Sequence, residues 1–81
     1  MSRYRIDYGS VAEDTLRQMR APDQFKAAMS RTLGQDPYGH RSKEINGEKD
    51  RRHAVIADVL VVYYVSASVL KITAVRLIPS P

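Results

Sequence analysis

The amino-acid sequence predicts a small one-domain α+β protein, and three observations predict it. Apolar residues recur at helical spacing in two stretches of the first half, around residues 11–19 and 25–33. A segment rich in valine, isoleucine and tyrosine, from Arg52 to Leu77, is cut twice by turn residues and has the composition of strands. A chain of 81 residues holds one core and has no room for a second. The expected order is a short N-terminal strand, an antiparallel helix hairpin and a three-stranded antiparallel meander (β-α-α-β-β-β), with residues 1–81 as a single domain.

Tyr4, Ile6 and Tyr8 alternate with Arg5 and Asp7, the period of a strand with one buried face, and Gly9 ends it. Ser10 followed by Glu13 is a capping-box pattern that opens a helix, and Val11, Ala12, Thr15, Leu16 and Met19 share one face of it. Pro22 breaks this helix, and Asp23 is the expected cap of the next. There Phe25, Ala28, Met29, Thr32 and Leu33 follow the i, i+3, i+4 spacing, with Gly34 as an expected left-handed stop. From Gln35 to Asp50 the turn formers Pro37, Gly39, Asn46 and Gly47 predict a surface loop anchored by Ile45. Three strands follow at Arg52–Ala57, Val59–Val65 and Leu70–Leu77, with turns near Ala57-Asp58 and Ser66-Ala67-Ser68. The unbroken apolarity of Val59 to Val65 fits a central strand that is covered on both faces, or one whose second face meets a partner.

The composition excludes several classes of protein. With 43% hydrophobic and 27% charged residues the chain is neither disordered nor fibrous. It has no cysteine, hence no disulfide framework and no thiolate site, and two histidines make a metal site improbable. No P-loop or serine triad is present. The N-terminus lacks an apolar signal core and the longest apolar run, Val59 to Val65, is too short to cross a bilayer, so a cytoplasmic protein without a membrane partner is expected. The net charge of +4 comes from 13 basic and 9 acidic residues, and nine of the basic ones are arginine, suited to bidentate contact with phosphate or carboxylate. Residues 34–53 hold five Lys/Arg against four Asp/Glu, so any basic patch has to be assembled by folding.

The element order, together with Asp36-Pro37-Tyr38-Gly39, Ile45-Asn46-Gly47 and the run Asp50-Arg51-Arg52-His53 leading through Ala57-Asp58 into Val61-Val62-Tyr63, resembles the RelE/ParE superfamily of bacterial toxins. The resemblance covers almost the whole chain. It implies a toxin of a type II toxin–antitoxin system that is neutralised by a cognate antitoxin. RelE-like members cut messenger RNA on the ribosome without a metal or other cofactor; ParE-like members act on DNA gyrase. Two positions depart from the RelE-like pattern: Leu60 stands where the family often has arginine, and Arg76-Leu77-Ile78-Pro79-Ser80-Pro81 stands where a basic cluster and an aromatic residue are common.

Metal-free RNA cleavage requires a deprotonated 2′-hydroxyl, stabilisation of charge on the reacting phosphate and a protonated leaving oxygen. His53 is the expected proton carrier, because imidazole titrates near neutrality, and Arg51, Arg52 and Arg76 are expected to stabilise the phosphate. Alternation places Arg52 with Ala54 on one face and His53 with Val55 on the other, so Arg52 and His53 cannot both enter one shallow site. His40, Arg41, Lys43 and Lys49 are candidate RNA contacts. The competing reading of Arg41, Lys43 and Lys49 is solvated charge interleaved with Glu44, Glu48 and Asp50. Tyr38, Tyr63 and Tyr64 are candidates for base stacking, with at least one of the last two expected in the core. The expected function is thus a ribosome-dependent mRNA endoribonuclease that inhibits translation. The alternative is a gyrase inhibitor, or a non-catalytic toxin-fold protein acting through its antitoxin.

Overall fold

Alternation decides which side of each strand is buried. In the computed structural model, which describes residues 3–80, the elements run β1 (Arg5–Tyr8), α1 (Ser10–Gln18), α2 (Pro22–Arg31), β2 (Lys43–Ile45), β3 (Glu48–Ile56), β4 (Val59–Ser66) and β5 (Lys71–Pro79). The five strands form one sheet in the order β1-β5-β4-β3-β2. β1 lies parallel to β5, and the remaining pairs are antiparallel. Val59, Val61, Tyr63 and Val65 of β4 point to one side, with Ala54 and Ile56 of β3 and Ile72, Ala74 and Leu77 of β5. Ala12 and Leu16 of α1 and Phe25 and Met29 of α2 join them in a single core that also takes in Tyr4 and Leu33. The helix pair covers this face and leaves the opposite one open, so the central strand has one covered side. Tyr63 fills the core and Tyr64 faces out.

Both helices form where the apolar spacing predicts, but their ends differ from expectation. Gly9, in extended conformation, is the residue before α1, so Ser10 lies inside the helix and no side-chain cap bond forms; the capping box is absent. Glu13 turns instead to Arg17, 3.6 Å away, an i,i+4 pair. Val11 lies at the margin of the apolar stripe and is exposed. Pro22 occupies the first turn of α2, where its missing N–H is harmless, and Ala21 precedes it, which puts Asp23 inside the first turn rather than at the cap. At the other end Thr32 stops the helix, its Oγ1 donating to the Ala28 carbonyl at 2.7 Å, while Gly34 keeps a negative φ and donates its N–H to the Met29 carbonyl.

The main correction is a fifth strand. The segment expected as a loop contains β2, which turns through Asn46-Gly47 into β3, and β3 starts at Glu48 rather than Arg52. Asn46 and Gly47 have φ of 54° and 74°, the pair of positive values that a tight hairpin turn uses. Ala57 and Asp58 repeat this at the β3–β4 turn with φ of 50° and 65°, where alanine bears the strain of about 1 kcal/mol that glycine would avoid. The last connection is a single 3₁₀ turn, Ala67–Val69, closed by Leu70 with φ of 50°.

Candidate functional site: the open face of the sheet

The register lays the outward side chains in rows across the strands. One row runs Lys43–His53–Val62–Arg76 over β2, β3, β4 and β5. The next runs Arg51–Tyr64–Thr73–Asp7 over β3, β4, β5 and β1. On the far side of the first lies an apolar row, Val55–Leu60–Ile78, with Val55 64% and Ile78 45% exposed. Arg76 reaches this face through a bulge. Ile72 and Ala74 point into the core, and unbroken alternation would carry Arg76 with them; but Val62 pairs with Arg76 while Tyr63 pairs with Ala74, so Val75 is the extra residue that turns Arg76 outward. The fold thereby brings Arg51, His53, Lys43 and Arg76 onto one surface, with Leu60 on the same surface at its apolar end.

Arg52 is not among them. It points to the helix side, is 8% exposed, and donates from Nε to Ser42 Oγ at 3.0 Å, from Nη2 to the Ser42 carbonyl at 3.2 Å and from Nη1 to the Lys49 carbonyl at 3.1 Å. Glu44, its cross-strand partner, sits 3.9 Å from Nη1. Its guanidinium also lies 5.5 Å from the centre of the Tyr38 ring, whose hydroxyl donates to Asp50 Oδ1 at 2.8 Å. Together with the hydroxyl of Tyr63, which donates to the Pro37 carbonyl, these bonds fasten residues 36–42 and β2 to β3. Arg52 is thus occupied as a strut, on the opposite face of β3 from His53.

The remaining sequence candidates lie beside this strut. His40 and Arg41 are exposed in the 36–42 loop with φ of 57° and 59°, and Lys49 packs its ammonium over Tyr38 at 5.1 Å. No ion-pair partner for Arg41, Lys43 or Arg76 occurs among the described residues, so the charge of these three is available to a ligand, and His40 and His53 lie beside them. At the β1 end of the open face the balance differs: Asp7 lies 2.9 Å from Arg5 and 3.4 Å from Lys71, and the bond from Arg5 holds its carboxyl below the usual carboxylate range. A cleft of about 650 Å³ lies elsewhere, between β1, α1 and α2. Its lining carries Arg17 and Lys26 together with the carboxylates of Glu13 and Asp23, and Arg17 is paired with Glu13 and Asp14, so it has no excess of cations. Among the described residues no group of His, Asp and Glu is arranged to hold a metal ion, and no helix is long and apolar enough to cross a membrane.

Two phenols report on the packing around this framework. Burial pushes the hydroxyls of Tyr8 and Tyr38 up to about 12, and for Tyr38 the bond to Asp50 adds to it. Because the folded state resists ionisation that the unfolded chain undergoes near 10, their contribution is fully present below pH 10 and is lost as pH rises towards 12. Melting temperature measured over this range should stay level to about pH 10 and then fall, with a smaller fall for Tyr38→Phe.

No protein-family model matches the chain, and no curated protein does. Solved structures do match. The toxin–antitoxin complex RelBE2 from Mycobacterium tuberculosis contains a chain that superimposes with a TM-score of 0.75, at 14% identity, over 95% of this chain and 98% of that one. The archaeal RelE-RelB complex from Pyrococcus horikoshii contains one with a TM-score of 0.70, at 21% identity, over 98% of this chain and 96% of that one. The fold is the RelE fold. Its layout of helix pair and five-stranded sheet is shared over nearly the full length, although few residues are identical. The RelE fold here positions the outward rows described above; Arg52, expected as a site residue, is turned inward, and a bulge with no signature in the sequence turns Arg76 outward.

Proposed function

We propose that the protein is the toxin of a type II toxin–antitoxin system and acts as a ribosome-dependent mRNA endoribonuclease in the cytoplasm. The observation that carries this reading is the row Lys43–His53–Val62–Arg76 with Arg51 beside it, four basic or titratable side chains on one open surface of a RelE fold. Arg51 and Arg76 would stabilise the charge that develops on the reacting phosphate, and His53 would carry a proton to or from the ribose or the leaving oxygen. Lys43, with His40 and Arg41 from the adjoining loop and Lys49 at its rim, would hold the flanking phosphates. Arg52 supports the site by fastening that loop and does not touch the RNA.

A cognate antitoxin is the expected protein partner, in keeping with the complexes in which the similar folds occur. The test is expression from an inducible promoter, alone and together with the reading frame that lies next to this one. Growth arrest that the neighbour relieves, and co-purification of the two chains, are the expected results. Unimpeded growth would count against a toxin.

One observation favours a second reading. Leu60 stands where the resemblance leads one to expect arginine, and with Val55 and Ile78 it makes an apolar row suited to a protein surface. A gyrase inhibitor, or a toxin-fold protein that acts only through its antitoxin, would use this row. Inhibition of gyrase supercoiling by the purified protein would support it.

A further inference from the structure

Tyr64 stands apart from the other tyrosines. Tyr4, Tyr8, Tyr38 and Tyr63 belong to the core or pack against it, whereas Tyr64 is 38% exposed on the open face and fills no space beneath the helices. The Arg51 guanidinium lies over its ring, 5.0 Å from the centre, and Glu48 Oε2 holds the same guanidinium at 3.3 Å. On its other flank the cross-strand neighbour is the small Thr73. A planar cation is therefore laid on an exposed aromatic ring, anchored by a carboxylate and open to solvent on its outer side. Both planes offer a π-face to a third flat group.

The spacing to the neighbouring row gives that group an identity. Along a strand, residues two apart are separated by about 7 Å, so the Arg51–Tyr64 row lies roughly that far from the row that holds His53 and Arg76. A flat group on the first row thus has an anionic group within reach on the second, and a nucleotide has both. An unmodified protein side chain offers no such combination of an aromatic plane and a phosphate. Stacking of this kind needs an unpaired base, since a base in a duplex shows no free face.

We propose that Arg51 and Tyr64 form a nucleobase platform for single-stranded RNA, the plane of the Arg51 guanidinium taking the base while its remaining N–H edge and Arg76 hold the adjoining phosphate. This rests on the nuclease reading above and adds to it a binding site for one base, with contacts that do not discriminate strongly among bases. The platform gives a role to the aromatic residue on the exposed side of β4.

The test is binding of the full-length protein to a dye-labelled single-stranded RNA whose 2′-oxygens are methylated, so that it cannot be cleaved. A second strand of equal length and charge carries abasic residues. Fluorescence anisotropy should show the base-bearing strand bound about tenfold more tightly than the abasic one. Tyr64→Phe should keep that preference and Tyr64→Ala should erase it, with circular dichroism confirming the fold of each. The comparison of the two strands with the unaltered protein stands without any variant. Equal, salt-dependent affinity for both strands would overturn the platform and leave the nucleic-acid reading intact. A preference that survives Tyr64→Ala would overturn it as well. Absence of binding to either strand at low salt would overturn both.

Discussion

Replacement of Arg52 by alanine is expected to cost about 3 kcal/mol of stability, a large share of what a domain of this size has. The side chain is buried, and its loss strands the Ser42 carbonyl and the Lys49 carbonyl without their donor and leaves Glu44 without its cation. A drop in melting temperature of roughly 15 °C follows from such a loss in a domain of this length. Arg52→Lys keeps the charge but cannot form three bonds in a plane, and should fall between the two. Activity should decline in both variants, because the loop of residues 36–42, with His40 and Arg41, is held to β3 in part by the bonds from Arg52 to Ser42. Thermal melts followed by circular dichroism measure the effect, and a melting temperature that stays within a few degrees would show that the strut is not needed.

The opposite signature is expected of Arg51 and Arg76. Among the described residues, Arg51 is exposed and bound only to the exposed Glu48 and the face of Tyr64, and Arg76 has no ion-pair partner. Surface changes of this kind stay within about 0.5 kcal/mol. On the nuclease reading each guanidinium stabilises charge on the phosphate, and loss of one such donor lowers a rate by about a hundredfold or more. Arg51→Ala and Arg76→Ala should therefore melt like the unaltered protein while RNA cleavage in a ribosome-programmed assay falls by that factor. A cleavage rate within threefold of the original would remove these residues from the chemistry. Comparison with Arg52→Ala separates a residue that acts on RNA from one that acts on the fold, although the two arginines are adjacent in sequence.

That adjacency shows what could be read in the sequence. Period-two alternation assigns Arg51 and His53 to one face and Arg52 to the other, and the structure follows it. The helices were legible because Leu16, Phe25 and Met29 recur at helical spacing, and the apolar run of β4 placed at least one of Tyr63 and Tyr64 in the core without saying which. Three features were hidden. The strand β2 has only three residues, Lys43–Ile45, two of them charged, so the hairpin signal Asn46-Gly47 had no apolar alternation around it to reveal a pair of strands. The role of Arg52 depends on Ser42, ten residues earlier, and no local pattern reports such a contact. Arg76 lies out of phase with Ile72 and Ala74, and only the pairing with Val62 across β4 fixes the bulge that turns it outward. Helix ends were misread for a related reason: Ser10, Asp23 and Gly34 are common cap residues, but the chain's path into and out of the sheet moved each boundary by one to three residues.

The open face carries the proposed chemistry, and the apolar row beside it offers the sharpest rival. Leu60 lies in register with Val55 and Ile78, next to the row that holds His53 and Arg76, so a protein target and an RNA target would meet the same surface at different ends. Stability measurements do not separate these targets. The fate of transcripts does. After induction in a growing bacterial culture, the 5′ ends of messenger RNA should be mapped across the genome for the unaltered protein and for the Arg51→Ala, Arg76→Ala double variant. The account predicts new ends within translated regions for the former, their disappearance when translation initiation is blocked, and none for a double variant that accumulates to the same level. Growth arrest with intact transcripts would contradict it.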